Sequence, residues 1–178
     1  MALAAGTHTL GPDAGTLEIH TFRDGVAQKV GHDLIIDVGG WRAEVEVAEI
    51  GLRSVSLDVD TRSFTVREGR GGVKPLSDGD KAEVIKNIDE KVLRGEPVSF
   101  RSDGVETTGG LTVRGQLTIL GTTRPTMFEL ELSHDGRVIG TLPVVQSEWG
   151  IKPYRALMGA LKVRDELEVV LDVALPTN

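Results

Sequence analysis

The residues best suited to acid-base or metal chemistry are four histidines, His8, His20, His32 and His134, which lie in separate segments. His20 and His32 fall on opposite sides relative to the apolar residues of their predicted strands, so their spacing does not indicate a shared metal site. The sequence contains neither a Gly-x-Ser-x-Gly nucleophile elbow nor a His-Glu-x-x-His motif. We therefore predict no catalytic residue, no metal site and no cofactor.

His32 is the most informative polar residue, because it shares the parity of the apolar row formed by Leu34, Ile36 and Val38. An inward imidazole could donate a hydrogen bond to a carbonyl or phosphate oxygen of a bound molecule. Alternatively, His32 stands half exposed at the start of its strand and is satisfied by backbone. Both interpretations remain open from the sequence.

Three basic residues, Arg67, Arg70 and Lys74, fall in a glycine-rich stretch that is predicted to be a loop. They could meet an anionic head group at the mouth of a binding site, with backbone N–H groups assisting. The stretch lacks the Gly-Lys-Ser/Thr ending of a phosphate loop, which favours a solvated loop instead.

A second basic group surrounds a predicted short helix near 153–161 and comprises Lys152, Arg155, Lys162 and Arg164. A basic amphipathic segment of this kind can dock at a membrane surface, so transient membrane contact is one interpretation. The acidic neighbours at 165–168 dilute the positive charge and favour a solvated surface.

Length and composition narrow the class of protein. We interpret the 178 residues as a single domain spanning 1–178, and the absence of cysteine excludes disulfides and thiolate chemistry. Twenty-seven acidic residues against twenty basic ones give a net charge of −7, which argues against nucleic acid as a partner. The first residues lack the basic and apolar regions of a signal peptide, and no run approaches the roughly 20 apolar residues of a membrane span, so we predict a cytoplasmic protein.

Alternating apolar and polar residues predict an all-β fold. The pattern covers most of the chain outside 61–97, and Gly115 interrupts the apolar row of 111–119, which suits a bend, a bulge or a close backbone approach. A change to helical spacing at about 78–93, with Ser77 or Asp78 as cap, predicts one helix. One helix cannot cover an open sheet of this size, so we predict an antiparallel β-barrel of about eight strands, capped by the helix.

The sequence does not decide whether such a barrel is filled or hollow. Aromatic residues make up only 4% of the chain, and this shortage of bulk mildly favours a hollow interior. Two other functions remain open: a stress or interaction module that acts through its surface around a packed interior, and an isomerase or cyclase with His32 as acid or base.

The segment 117–125, Leu-Thr-Ile-Leu-Gly-Thr-Thr-Arg-Pro, resembles the signature hairpin of the YceI-like family of lipocalin-like barrels. The predicted helix with the strand after it, and the segment Gln-Ser-Glu-Trp-Gly-Ile at 146–151, resemble further parts of that family. The long turn within 21–32 departs from the simpler pattern of exported relatives, and many relatives are exported, in contrast to the cytoplasmic location predicted above.

The resemblance implies a non-catalytic protein that binds an extended polyisoprenoid, such as an isoprenoid quinone or a prenyl phosphate, in the barrel for carriage or storage. An isoprenoid or other long-chain lipid is then the expected partner, and the protein is expected to be a monomer or homodimer. The residues predicted to contact the ligand are His32, Leu34, Ile36, Phe100, Val113, Leu117, Phe128, Leu130 and Trp149.

Overall fold

The computed structural model describes residues 2–178 and is built almost entirely from β-strands. In chain order the strands are β1 (Gly6–Leu10), β2 (Gly15–Thr21), β3 (Arg23–Asp24), β4 (Asp33–Val38), β5 (Trp41–Ala48), β6 (Gly51–Val59), β7 (Phe64–Arg70), β8 (Val98–Glu106), β9 (Leu111–Ile119), β10 (Thr122–Leu132), β11 (Arg137–Val145), β12 (Arg155–Ala156), β13 (Leu161–Val163) and β14 (Glu166–Ala174). One helix, α1 (Asp78–Asn87), continues into a π-helical turn (Ile88–Leu93).

Eleven of these strands form one antiparallel curled sheet in the order β1-β5-β6-β8-β9-β10-β11-β14-β2-β4-β7. Strand β10 joins the two halves, because Thr122 to Leu130 pair with β9 while Glu131 and Leu132 pair with β11. The remaining strands, β3, β12 and β13, form a separate small sheet. The predicted all-β, lipocalin-like class is confirmed, although the strand count exceeds the predicted eight.

The sheet differs from the predicted barrel in how it closes. Its outer strands, β1 and β7, do not pair with each other within residues 2–178. The two halves meet instead at one corner, where Gly39 N donates to Ser63 O at 3.1 Å and Asp60 N donates to Gly40 O at 2.9 Å. Helix α1 packs against β7, so the helix covers the unpaired edge of the sheet.

The predicted helix over 78–93 is confirmed, with Ser77 as its N-cap. Ser77 Oγ accepts from the Asp80 backbone N–H at 3.1 Å, and the Asp80 carboxylate accepts from the Ser77 N–H at 2.9 Å. This reciprocal capping box satisfies donors that the first turn leaves without helical partners. Arg94, with φ of 55°, ends the helical segment.

The predicted short helix near 153–161 is wrong. Strand β12, a single 3₁₀ turn (Leu157–Gly159) and strand β13 occupy this region. Leu157 and Met158 have φ of 51° and 54°, which no α-helix of L-residues can accommodate. Pairing of β13 with β3 competes with helix formation, and a local pattern cannot reveal that long-range contact.

The loop predicted around Arg67 and Arg70 is also wrong, because both residues belong to β7. Ile35 pairs with Glu68 and Ile36 with Val66, so Arg67 is the extra residue of a β-bulge. The bulge breaks the alternation of β7, which explains why the sequence pattern appeared to fade there.

Gly115 lies at a close backbone approach beside a bulge, as the interruption of its apolar row predicted. A Cβ at this position would stand 2.6 Å from Phe100 Cζ and 2.7 Å from the Ser102 Cα, closer than van der Waals contact allows. The neighbouring strand β8 bulges between Ser102 and Gly104, directly beside this glycine. A close backbone approach and a bulge therefore coincide at Gly115.

Candidate functional site

The curled sheet encloses an apolar cavity of about 370 Å³. Forty residues line it, and thirty-seven of them are aliphatic or aromatic. The wall is drawn from both halves of the sheet and from the inner face of the helical segment, which contributes Val84, Ile88 and Val92. The interior is therefore hollow, which contradicts the packed-interior alternative.

Two aromatic rings pack against each other in this wall. The Phe100 and Phe128 rings lie 5.1 Å apart between centroids and are tilted by 49°. The Phe100 ring approaches Gly115, and a side chain at that position would displace the ring. The missing side chain of Gly115 thus sets the position of an aromatic ring that lines the cavity.

The four polar residues of the cavity wall gather at one end. Thr21 ends β2 and Gln146 follows β11, and both flank the start of β14. Tyr154 lies at the same end, because its backbone carbonyl accepts a hydrogen bond from Val163 N, and Val163 pairs with β3. Asn87 lies four residues before Lys91, whose ammonium sits 5.9 Å from the centre of the Tyr154 ring. We call Thr21, Asn87, Gln146 and Tyr154 the polar end of the cavity.

Two cations stand near the polar end, each over an aromatic ring. Besides Lys91 over Tyr154, the Arg164 guanidinium lies 5.3 Å from the centre of the Phe22 ring. Arg164 also accepts a hydrogen bond at its backbone oxygen from Gln146 Nε2, at 3.0 Å. Positive charge and hydrogen-bonding groups therefore lie together at this end, while the rest of the wall is apolar.

Seven of the nine residues predicted to contact a ligand line the cavity: Leu34, Ile36, Phe100, Val113, Leu117, Phe128 and Leu130. Their predicted positions follow from strand alternation, which holds around each of them in β4, β8, β9 and β10. Whether they contact a ligand remains a prediction. The structure brings them together on one continuous surface.

His32 does not line the cavity, so the inward orientation predicted for it is wrong. Strand β4 begins only at Asp33, so the pleat that orients Leu34 does not extend back to His32. The His32 ring instead bonds through Nε2 to the Lys74 backbone oxygen at 2.7 Å. This satisfied, half-buried histidine ties the loop after β7 to β4 and offers no acid or base to the cavity.

Trp149 is also outside the cavity wall, although it is almost fully buried. Its indole Nε1–H donates to the Leu117 backbone oxygen at 3.0 Å. The ring therefore fastens the 3₁₀ turn after β11 to strand β9. The family-like segment at 146–151 suggested a ligand contact, but the indole serves packing.

The proposed head-group residues Arg67 and Arg70 are engaged in ion pairs away from the cavity wall. Arg67 reaches Glu18 at 2.7 Å and Asp37 at 3.5 Å, and Arg70 reaches Glu68 at 2.6 Å. Lys74 is exposed in the loop after β7. None of the three lines the cavity.

Glu18 is the centre of this outer cluster, because it also accepts from His20 Nε2 at 2.8 Å. Burial alone would raise the pKa of the Glu18 carboxyl. The hydrogen bonds from His20 and Arg67, with the positive charge of Arg67, outweigh burial and hold that pKa below its ordinary value. The cluster ties β2 to β4 and β7 on the outer surface of the sheet.

Sequence reasoning missed the polar end. Asn87 and Lys91 are four residues apart and therefore share a helix face, but no local pattern indicates which residues that face contacts. Tyr154 and Gln146 reach the cavity because of the small sheet and the turn after β11. Those contacts join segments far apart in sequence.

No cluster of three or more His, Asp or Glu side chains placed to hold a metal ion occurs among residues 2–178. Over the same residues, the structure has no helix of sufficient length and hydrophobicity to cross a membrane.

Comparison with known proteins places this cavity in a family context. Solved structures with the same fold include BcnA of Burkholderia cenocepacia, at 16% identity and a TM-score of 0.63, with 88% of this chain and 94% of that chain covered. They also include the YCEI protein of Campylobacter jejuni, at 9% identity and a TM-score of 0.59, with 80% and 84% covered. No curated protein matches the chain by sequence. The model of the YceI-like domain matches residues 25–175, and the chain therefore belongs to the YceI-like family.

Proposed function

We propose that this protein binds an isoprenoid chain in its cavity, without catalysis, for carriage or storage of the lipid. The observation that carries the proposal is the cavity itself, about 370 Å³ in volume and apolar except at one end. A cavity with such a wall accepts a hydrocarbon chain and rejects a polar substrate, because buried polar groups need partners that this wall lacks.

The volume supports a chain of limited length. An apolar cavity of about 150 Å³ holds one benzene ring, so by proportion 370 Å³ corresponds to about 15 carbon atoms. That is the size of about three isoprene units. A longer polyisoprenoid, such as the tail of an isoprenoid quinone, would extend beyond the cavity.

The polar end supports a polar head group. Tyr154, Gln146 and Asn87 can donate or accept hydrogen bonds there, and Lys91 and Arg164 bring positive charge nearby. A hydroxyl, a quinone carbonyl or a prenyl phosphate would find partners at this end. The chain would then lie along Phe100 and Phe128.

Burial of the chain supplies most of the affinity. About 15 carbons at about 0.8 kcal/mol each contribute about 12 kcal/mol, and association costs of at least about 4 kcal/mol leave a dissociation constant on the order of micromolar. Isothermal titration with farnesol tests this expectation. We expect micromolar binding with a negative heat-capacity change, which is the signature of apolar burial. Absence of binding up to the solubility limit of farnesol would refute the proposal.

The isomerase or cyclase alternative finds no support in the cavity wall formed by residues 2–178. The isomerase or cyclase alternative relied on His32, whose ring bonds to the Lys74 backbone outside the cavity wall. The four polar residues of the wall are two amides, one threonine hydroxyl and one tyrosine phenol, and none of them is a carboxyl, an imidazole or an amino group.

A further inference from the structure

The small sheet of β3, β12 and β13 forms an exposed lobe beside the polar end of the cavity. We define this lobe as residues 23–31 and 152–165. Tyr154 and Val163 belong to it and also line the cavity. Backbone bonds from Ala27 N to Ala160 O at 2.8 Å and from Val163 N to Tyr154 O at 3.0 Å hold its two segments together.

Large apolar side chains project from the lobe into solvent. Met158 is fully exposed, Leu157 is 61% exposed and Val26 is 94% exposed. Val30 and Tyr154 are exposed on the same lobe. Solvent-facing apolar residues that gather beside a cavity indicate an interaction surface, whereas isolated ones need no explanation.

The backbone holds the tip of the lobe in an unusual conformation. Leu157 and Met158 are consecutive, and both have positive φ, a region that residues other than glycine seldom occupy. Strain of this kind persists at sites where the surroundings impose it, and such sites are often functional. Here it accompanies two large apolar side chains that project outward at the tip.

The lobe is basic on an otherwise acidic protein. It carries six Lys or Arg and two Asp, a net charge of +4, whereas the other residues carry fourteen basic and twenty-five acidic side chains, a net charge of −11. Lys29, Lys152, Arg155, Lys162 and Arg164 form no ion pair within 4.0 Å in the part of the chain that the structure describes. The two acids bond to neighbouring groups, Asp24 to Gly25 N and Asp165 to Ser147.

We infer that this lobe docks on a membrane surface rich in anionic lipid, with Leu157 and Met158 inserted among the head groups. Apolar tips surrounded by unpaired cations complement such a surface, which attracts Lys and Arg and accepts apolar side chains at its boundary. The lobe adjoins the polar end of the cavity, so docking would bring that end to the lipid. This inference rests on the proposed lipid-binding function.

Co-sedimentation with vesicles tests the docking. We expect the protein to bind vesicles made of equal amounts of phosphatidylcholine and phosphatidylglycerol, and to bind phosphatidylcholine alone far more weakly. The double variant Leu157→Ser/Met158→Ser should lower the partition coefficient at least about tenfold, because it removes the two apolar tips. Arg155→Gln should lower it about fivefold, and high salt should weaken the binding of the unmodified protein.

Matched controls lie elsewhere on the surface. Ile50 is 94% exposed in the turn between β5 and β6, and Arg42 is exposed on β5. Neither belongs to the lobe, so Ile50→Ser and Arg42→Gln should leave vesicle binding unchanged. Equal losses for control and lobe variants would overturn the inference, because they would indicate unspecific adsorption.

Two further outcomes separate docking from the proposed function. The lobe variants should retain farnesol binding in free solution, since their substituted side chains do not line the cavity. Vesicle binding without farnesol binding would refute the lipid-binding function and leave the docking surface standing. No vesicle binding, together with a dimer that Leu157→Ser/Met158→Ser dissolves in analytical ultracentrifugation, would overturn the docking and assign the lobe to a second copy of this chain.

Discussion

Filling the cavity with a protein side chain should shorten the lipid that it can hold. Ala43 lies on β5, is buried and lines the cavity. Ala43→Phe adds six ring carbons, and a ring of that size occupies about 150 Å³ of apolar space, so about 220 Å³ of the original 370 Å³ remains. By the same proportion, the capacity falls from about 15 carbons to about nine.

The loss of binding should therefore depend on chain length. Displacement of six carbons from the cavity removes up to about 5 kcal/mol of binding free energy. The displaced carbons remain partly buried at the polar end, which reduces this loss. We therefore expect farnesol to bind at least about 50-fold more weakly. Geraniol, with about ten carbons, nearly fits the smaller space, and its affinity should fall less than about fivefold. Isothermal titration of both alcohols measures these changes.

A substitution on the opposite face of the same strand provides the control. Ala48 does not line the cavity, so Ala48→Phe should leave both affinities unchanged. Thermal melts establish that the Ala43→Phe protein is folded, and filling empty apolar space should not lower its melting temperature. Equal weakening of farnesol and geraniol, or no weakening of either by a folded Ala43→Phe protein, would refute the reasoning from volume.

Two predictions concern the frame around the cavity. Gly115→Ala should destabilise the protein by about 1–3 kcal/mol in urea unfolding, because a Cβ there overlaps the neighbouring strand. Gly104→Ala should change stability by less than about 0.5 kcal/mol, since its Cβ would meet nothing within 4 Å, and similar losses for both variants would contradict this account. Glu18→Gln should cost about 1 kcal/mol at neutral pH, because it weakens the bond to Arg67. Its lowered pKa means that the charged form stabilises the fold above the unfolded pKa of about 4.3, and that this stabilisation disappears as the pH falls through the lower folded value. The free energies of unfolding of the unmodified and the Glu18→Gln proteins, measured over a range of pH, should therefore converge in strongly acidic solution. A difference that stays constant with pH would show that Glu18 acts through packing.

Local patterns predicted the parts of this fold that local physics determines. Strand alternation placed Leu34, Phe100 and Phe128 on the inner face, because a pleated strand directs every second side chain to one side. Helical spacing and a capping residue at Ser77 predicted α1 and its continuation. Gly115 was recognised as a gap because it interrupted a regular row.

The remaining features depend on contacts between distant segments. The bulge at Arg67 interrupts the alternation of β7, so the local pattern did not predict that strand. Strand β13 pairs with β3, so the region near 153–161 forms strands where a helix was expected. The alternation of side chains predicted the wrong orientation for His32, because His32 lies before the first residue of β4. The polar end combines residues from four segments of the chain, and no spacing within one segment could have assembled it.

An isoprenoid chain bound in the cavity should remain with the protein through native purification, so identification of the lipid that the purified protein carries tests the proposed function. Organic extraction followed by mass spectrometry should be performed on the unmodified protein and on Ala43→Phe, with a denatured and refolded sample as control. We expect a near-stoichiometric isoprenoid lipid in the unmodified protein and a strongly reduced amount in Ala43→Phe. An empty extract from the unmodified protein, together with no binding of added farnesol, would contradict the proposed function.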